Sequence, residues 1–151
     1  MLTRQGANWG QMALESVATI LERTALTTIQ EWYELAVLSE ILMAVPMSRE
    51  QRCSHLPRLF RDLVFRLRSP TISGTKEQFT EDAAEHGVAR RKQGYSAAMM
   101  VEEARMLQIS IFKSLHDNLD NIEFHLLLPD VMRIANDDAQ LGRAVACYGG
   151  L

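Results

Sequence analysis

A chain of 151 residues with 47% hydrophobic and 23% charged residues has the size and composition of one folded domain with a real core, and excludes an intrinsically disordered protein. The formal net charge of -3 and a pI near 5.8 provide no bulk attraction for nucleic acid or an anionic membrane, so DNA binding would need a local patch. Cys53 and Cys147 are 94 positions apart and form no CxxC, which suits two unpaired thiols in a reducing cytoplasm; the N-terminus MLTRQGANW lacks the apolar core of a signal peptide.

From about Gln11 to Met43 the pattern is helical. Met12, Val17, Ile20 and Leu21, then Ile29, Trp32, Tyr33 and Ala36, recur at three and four. Thr24, Thr27 and Thr28 are weak helix formers and divide the run, with Thr28 as the cap of a second helix; Trp32 is a core anchor. The most apolar run, Leu35 to Met47, is broken by Ser39, Glu40 and Pro46 and is too short to span a bilayer.

Beyond Pro46, Ser48 followed by Gln51 is a capping box, and Pro57 fits the first turn of a helix whose face is Leu59, Leu63 and Leu67, with Phe60 and Val64 beside it. Six arginines fall between Arg49 and Arg68, read either as a solvated helix face or as a site for phosphate or an acidic partner. Ser69 to Thr75 is a loop, and Thr75 with Gln78 caps the next helix.

The centre of the chain is Glu85 to Leu115, where two helices meet at Gln93-Gly94-Tyr95-Ser96. Gly94 supplies the left-handed residue that ends one helix, and Ser96 the side-chain oxygen that starts the next. Phe79, Ala83, His86 and Arg90 share one side of the first helix; Ala97, Met100, Val101, Ala104, Leu107, Ile111 and Leu115 line the second, which runs to about Asn118.

Asp120 or Asn121 caps a last helical segment. There Phe124, Leu127, Val131, Ile134, Asp138, Leu141, Val145 and Tyr148 are spaced 3, 4, 3, 4, 3, 4 and 3 apart, an a/d seam carrying one acidic residue. Such a seam packs on a partner helix or on the chain's own core. Pro129 lies off it and should kink or break the helix. No period-2 strand pattern of useful length occurs, and the fold class expected is all-α.

Walker, GxGxxG, GxSxG and HExxH fingerprints are absent, and the chain is read as no enzyme. His55, His86, His116 and His125 are far apart, with no pair at the spacing of a helical metal site, and the acidic run Asp117, Asp120, Glu123 lacks the glycine and terminal glutamate of a calcium loop; no metal and no cofactor are expected. His86 is read as a hydrogen-bonded core histidine, a ligand contact or a haem ligand, Glu103 as its partner or that of Arg90, and Tyr95 as an anchor of the corner.

On His86-Gly87, Arg90, Gln93-Gly94-Tyr95-Ser96 and Glu103, supported by Trp32, His55-Leu56-Pro57 and Asp138, the chain resembles the N-terminal domains of the RsbT co-antagonist (RsbR/RsbRD) family of bacterial stressosomes, also found attached to histidine kinases. The resemblance covers about residues 22 to 148. It implies a globin-like helical bundle that binds no haem, pairs as a homodimer, and signals through a long C-terminal helix to a downstream regulatory protein or kinase. Family members usually continue into a phosphorylatable domain or a kinase, whereas this sequence ends at Gly149-Gly150-Leu151, which leaves open a free-standing sensor acting in trans or a piece of a longer protein.

The leading expectation is therefore a non-enzymatic, cytoplasmic signalling domain, with His86, Arg90, Tyr95 and Glu103 as candidate site residues and the Phe124 to Tyr148 seam as the dimer and signalling helix. The alternative is a small-ligand or haem sensor with His86 as key contact. A nucleic-acid regulator using Arg49 to Arg68 ranks below both, and no membrane partner is expected.

Overall fold

A computed structural model describes residues 14–68, 75–123, 125 and 127–136. The fold is all-α: α1 is Val17–Val37, α2 Glu40–Met43, α3 Arg49–Cys53, α4 Leu56–Arg68, α5 Thr75–Lys92 and α6 Ala97–His116. A 3-10 turn, Leu119–Asn121, precedes α7, helical over 127–136. Among the described residues the β-type pairing is one isolated bridge, Glu15 with Ile122, which ties the entry to α1 against the α6–α7 connection. No helix among them is long and apolar enough to cross a membrane.

The long α1 is the spine, packed along both α4 and α6. Ser16 starts it by accepting from the Thr19 amide, and the helix does not divide at its threonines. Thr24 Oγ1 donates to the Ile20 carbonyl at 2.8 Å and Thr28 Oγ1 to the Thr24 carbonyl at 3.0 Å, so each hydroxyl is satisfied inside the helix. Thr24 also meets Ser114 Oγ of α6 at 2.8 Å. Burial of Ile20, Leu21, Ile29, Trp32 and Ala36 then outweighs the weak propensity of the threonines. Trp32 is wholly buried, as its place on the apolar stripe implies.

Local signals beyond α1 act where they stand in the sequence. Ser48 and Gln51 form the capping box of α3, Pro57 sits in the first turn of α4, and Ser96 accepts from the Met99 amide to open α6. Gly94 has a φ of 97°. The buried face of α4 is centred on Phe60, Leu63, Val64 and Leu67, with Leu59 only half-buried. The loop before Thr75, and the side chains of Thr75, Gln78, Phe79 and Ala83, lie outside the described residues.

One expectation for the last segment changes: Asp120 and Asn121 belong to the 3-10 turn and stand short of α7 rather than capping it. Pro129 marks no break, residues 127–136 being helical. Ile134 is fully buried in the core of this chain, with Leu127 and Val131 packed against it. Phe124, Asp138, Leu141, Val145 and Tyr148 lie outside the described residues.

Candidate functional site

The chemistry of this chain gathers at the inner side of the α5–α6 corner. Arg90 comes from the last turn of α5 and Glu103 from the second turn of α6, and the chain reverses between them at Gly94. The Arg90 carbonyl closes the corner by accepting from the amides of Gln93 at 3.1 Å and Tyr95 at 3.0 Å. This reversal aims both side chains inward, where Arg90 Nη2 donates to Glu103 Oε1 at 2.6 Å.

Both ions are buried, Arg90 at 2% exposure and Glu103 at 5%, a placement tolerated only with partners. Arg90 has several. Its Nη2 also donates to the Arg52 carbonyl at 2.7 Å, its Nη1 to Gln93 Oε1 at 3.0 Å and to Met47 Sδ at 3.1 Å, and its guanidinium lies 5.0 Å from the centre of the Tyr95 ring. Glu103 is less well served. Its main-chain carbonyl accepts from Trp32 Nε1 at 3.3 Å, but side-chain Oε2 is buried without a hydrogen-bond partner, as is Arg90 Nε.

Two imidazoles complete the cluster. His55, in the turn between α3 and α4, lies edge-on to Trp32 at 6.2 Å and stacks on His86 of α5 with ring centres 4.1 Å apart. Arg90 Nη2 is 3.3 Å from His55 Nδ1, and because a guanidinium only donates, Nδ1 accepts and the ring proton belongs on Nε2. That Nε2 faces Glu103 Oε1 at 3.6 Å, beyond hydrogen-bond length. His55, His86 and Glu103 each present a ligand atom within 4.8 Å of the others, a set able to hold a metal ion.

The electrostatics follow from burial. It holds the His55 imidazole well below its ordinary range, with the charges of His86 and Arg90 adding, and pushes His86 down to about 4, with Arg90 adding. Both rings are therefore neutral at pH 7. Burial raises the Glu103 carboxyl while the charge and hydrogen bond of Arg90 pull it back, and burial raises the Tyr95 phenol, with Glu103 adding.

Arg52 supports the cluster from the other side. It is 1% exposed, and its Nη1 donates to Tyr95 Oη at 2.6 Å and to the Leu42 carbonyl at 3.3 Å, while Nη2 donates to the Val45 carbonyl at 2.9 Å. Arg52 thereby fastens the α2–α3 connection to the corner.

His86, Arg90, Tyr95 and Glu103, singled out in the sequence, thus meet in one cluster. Arg52 and His55 were not on that shortlist. Arg52 was grouped with a basic run whose members the fold disperses: Arg52 is interior, Arg68 pairs with Glu22 at 2.6 Å, and Arg49 donates to Gln30 and lies over the Tyr33 ring. His55 had figured only with Leu56 and Pro57 in support of the family resemblance. Spacing along one helix could not reveal a ligand set drawn from α5, α6 and the turn before α4. Compared with known proteins, the chain matches no family model, no curated protein and no solved structure.

Proposed function

We propose that this chain is a non-enzymatic sensor domain of bacterial signal transduction, working as a homodimer or protein-interaction module, in which the buried Arg90–Glu103–His55–His86 cluster is the sensing element and the last helix the output. The observation that carries this reading is the placement of α4. His55, a member of the cluster, immediately precedes it, and at its far end the Leu67 carbonyl accepts from Arg133 of α7 at 3.5 Å. One rigid helix of 13 residues, about 20 Å long, therefore joins the cluster to the last helix. The cluster also holds a buried carboxylate oxygen without a hydrogen-bond partner, a place where a bound cation or donor would change its state. The resemblance of the corner residues to RsbT co-antagonist N-terminal domains supports the same reading, with a regulatory protein or kinase downstream.

A second reading, a small-ligand sensor with His86 as key contact, is favoured by the unpartnered Glu103 Oε2 beside the stacked imidazoles. It differs from the first in what is bound rather than in how the signal leaves. The test is native mass spectrometry of the chelator-treated chain over a range of concentrations, for the wild type and Glu103→Gln. A dimer whose affinity shifts in Glu103→Gln supports the sensor; a strict monomer, or a dimer indifferent to Glu103, overturns it.

A further inference from the structure

We propose that His55, His86 and Glu103 form a binding site for a borderline divalent transition-metal ion of the zinc class, with Glu103 Oε2 as the carboxylate donor and a fourth position open to water or a small ligand. This deepens the sensor reading, and its signalling consequence rests on that reading. The metal site itself stands on geometry.

Two imidazoles and one carboxylate are a donor set that zinc-class ions take in open, three-residue sites. The ligand atoms lie within 4.8 Å of one another, and His55 Nε2 is already 3.6 Å from Glu103 Oε1. Metal–ligand bonds of about 2.0–2.2 Å at tetrahedral angles place donor atoms about 3.4 Å apart, so ligand atoms at the 4.8 Å limit close by about 1.4 Å, and His86 turns out of its stack on His55 to aim its lone pair at the same ion. The second observation is the orphaned oxygen. Glu103 Oε1 is committed to Arg90, whereas Oε2, on a side chain 6% exposed, has no partner, and a buried carboxylate oxygen left so costs free energy that a cation recovers.

Arg90 and Arg52 oppose a dication, and this opposition gives the site its consequence. Ligation through His55 Nε2 displaces the proton from that nitrogen to solvent, and Nδ1 then takes up a proton and becomes a donor. Arg90 Nη2, now 3.3 Å from an accepting Nδ1, would face donor against donor and must withdraw from His55. It keeps Gln93 and the Arg52 carbonyl, so the displacement is delivered to the α5–α6 corner.

The experiment uses the full chain, stripped with a chelator and titrated with Zn2+ and with Co2+. The expected result is one equivalent per chain and the visible d–d absorption of four- or five-coordinate Co2+, unchanged in His116→Ala and His125→Ala, which alter exposed histidines, and weakened at least about tenfold in His55→Ala and His86→Ala. Should those two variants lose their helical circular dichroism, X-ray absorption of the wild-type Zn2+ complex decides: imidazole and oxygen scatterers at about 2.0–2.2 Å support the site, and a sulfur shell near 2.3 Å overturns it in favour of a cysteine. No Co2+ band, or binding that follows His116 or His125, also overturns it. A dimer whose affinity depends on Glu103 but without metal uptake removes this inference alone; metal uptake without Glu103-dependent assembly removes the sensor reading alone.

Discussion

Arg90 and Glu103, 13 residues apart across the Gly94 corner, meet at 2.6 Å with side chains 3% and 6% exposed. A pair so placed contributes little net stability compared with an apolar pair, but breaking it from one side is costly. Arg90→Ala should lower the unfolding free energy by about 3–5 kcal/mol, because it strands the Glu103 charge. Arg90→Leu combined with Glu103→Leu should recover much of that. A denaturant double-mutant cycle with no coupling between the two positions would remove the pair from the account.

The imidazoles predict a pH dependence for the metal-free protein. His86 falls from 6.5 to about 4, and His55 moves the same way. Near pH 7 both are neutral, folded or unfolded, and cost nothing. As pH drops through 6.5 the unfolded chain takes up protons that the folded protein refuses, so stability falls until the rings protonate in the folded state, His86 near 4; the His86 shift alone is worth about 3 kcal/mol. Glu103, raised by burial, works in the opposite sense: stability lost to its ionisation returns as pH falls through its raised value. With two imidazoles against one carboxylate, the urea midpoint should drop between about pH 6.5 and 4.5. A flat profile in wild type, or an equal drop in His86→Leu, would contradict this origin.

Gly94 adopts a φ of 97°, and a Cβ added there meets only the Val45 methyls at 3.9 and 4.0 Å, ordinary contact. The penalty of Gly94→Ala is therefore conformational, about 1–2 kcal/mol, and Gly94→Asn should cost less. Equal melting temperatures for the glycine and alanine proteins would show that the corner tolerates another backbone path.

Tyr95→Phe removes the 2.6 Å acceptor from buried Arg52 and leaves Nη1 with the Leu42 carbonyl at 3.3 Å. The ring and its contact with Arg90 are preserved, so the expected loss is that of one hydrogen bond to a charged group, about 1.5–3 kcal/mol by thermal unfolding. A variant as stable as wild type would mean that Arg52 is held by the carbonyls of Leu42 and Val45 alone.

Much of the fold was legible where the cue was local. Gly94 and Ser96 announced the corner, Ser48 and Gln51 the start of α3, and the 3.6 period the burial of Trp32 and Ile111. The threonines of α1 misled because propensity counts a hydroxyl as a competitor for the backbone, whereas Thr24 and Thr28 bond back to their own helix and sit against Ser114 and the core. Most of the buried cluster was legible for a similar reason: His86 and Arg90 share one face of one helix, Tyr95 belongs to the corner, and Glu103 lies beside the apolar stripe of the next helix. Arg52 and His55 reach it from a five-residue helix and a turn, where no periodicity operates, and the imidazoles meet across 31 positions of chain. The arginine run looked like a surface because sequence proximity cannot tell Arg52, turned inward, from its neighbours.

The central claim is that the state of the cluster reaches the last helix through α4, and amide hydrogen exchange on wild type and Glu103→Gln tests it most directly. The account predicts altered protection at the α5–α6 corner, along α4 and again in residues 127–136, whose Arg133 bonds to Leu67 and whose Ile134 lies in the core. A change confined to the corner, with α4 and residues 127–136 exchanging as in wild type, would contradict it.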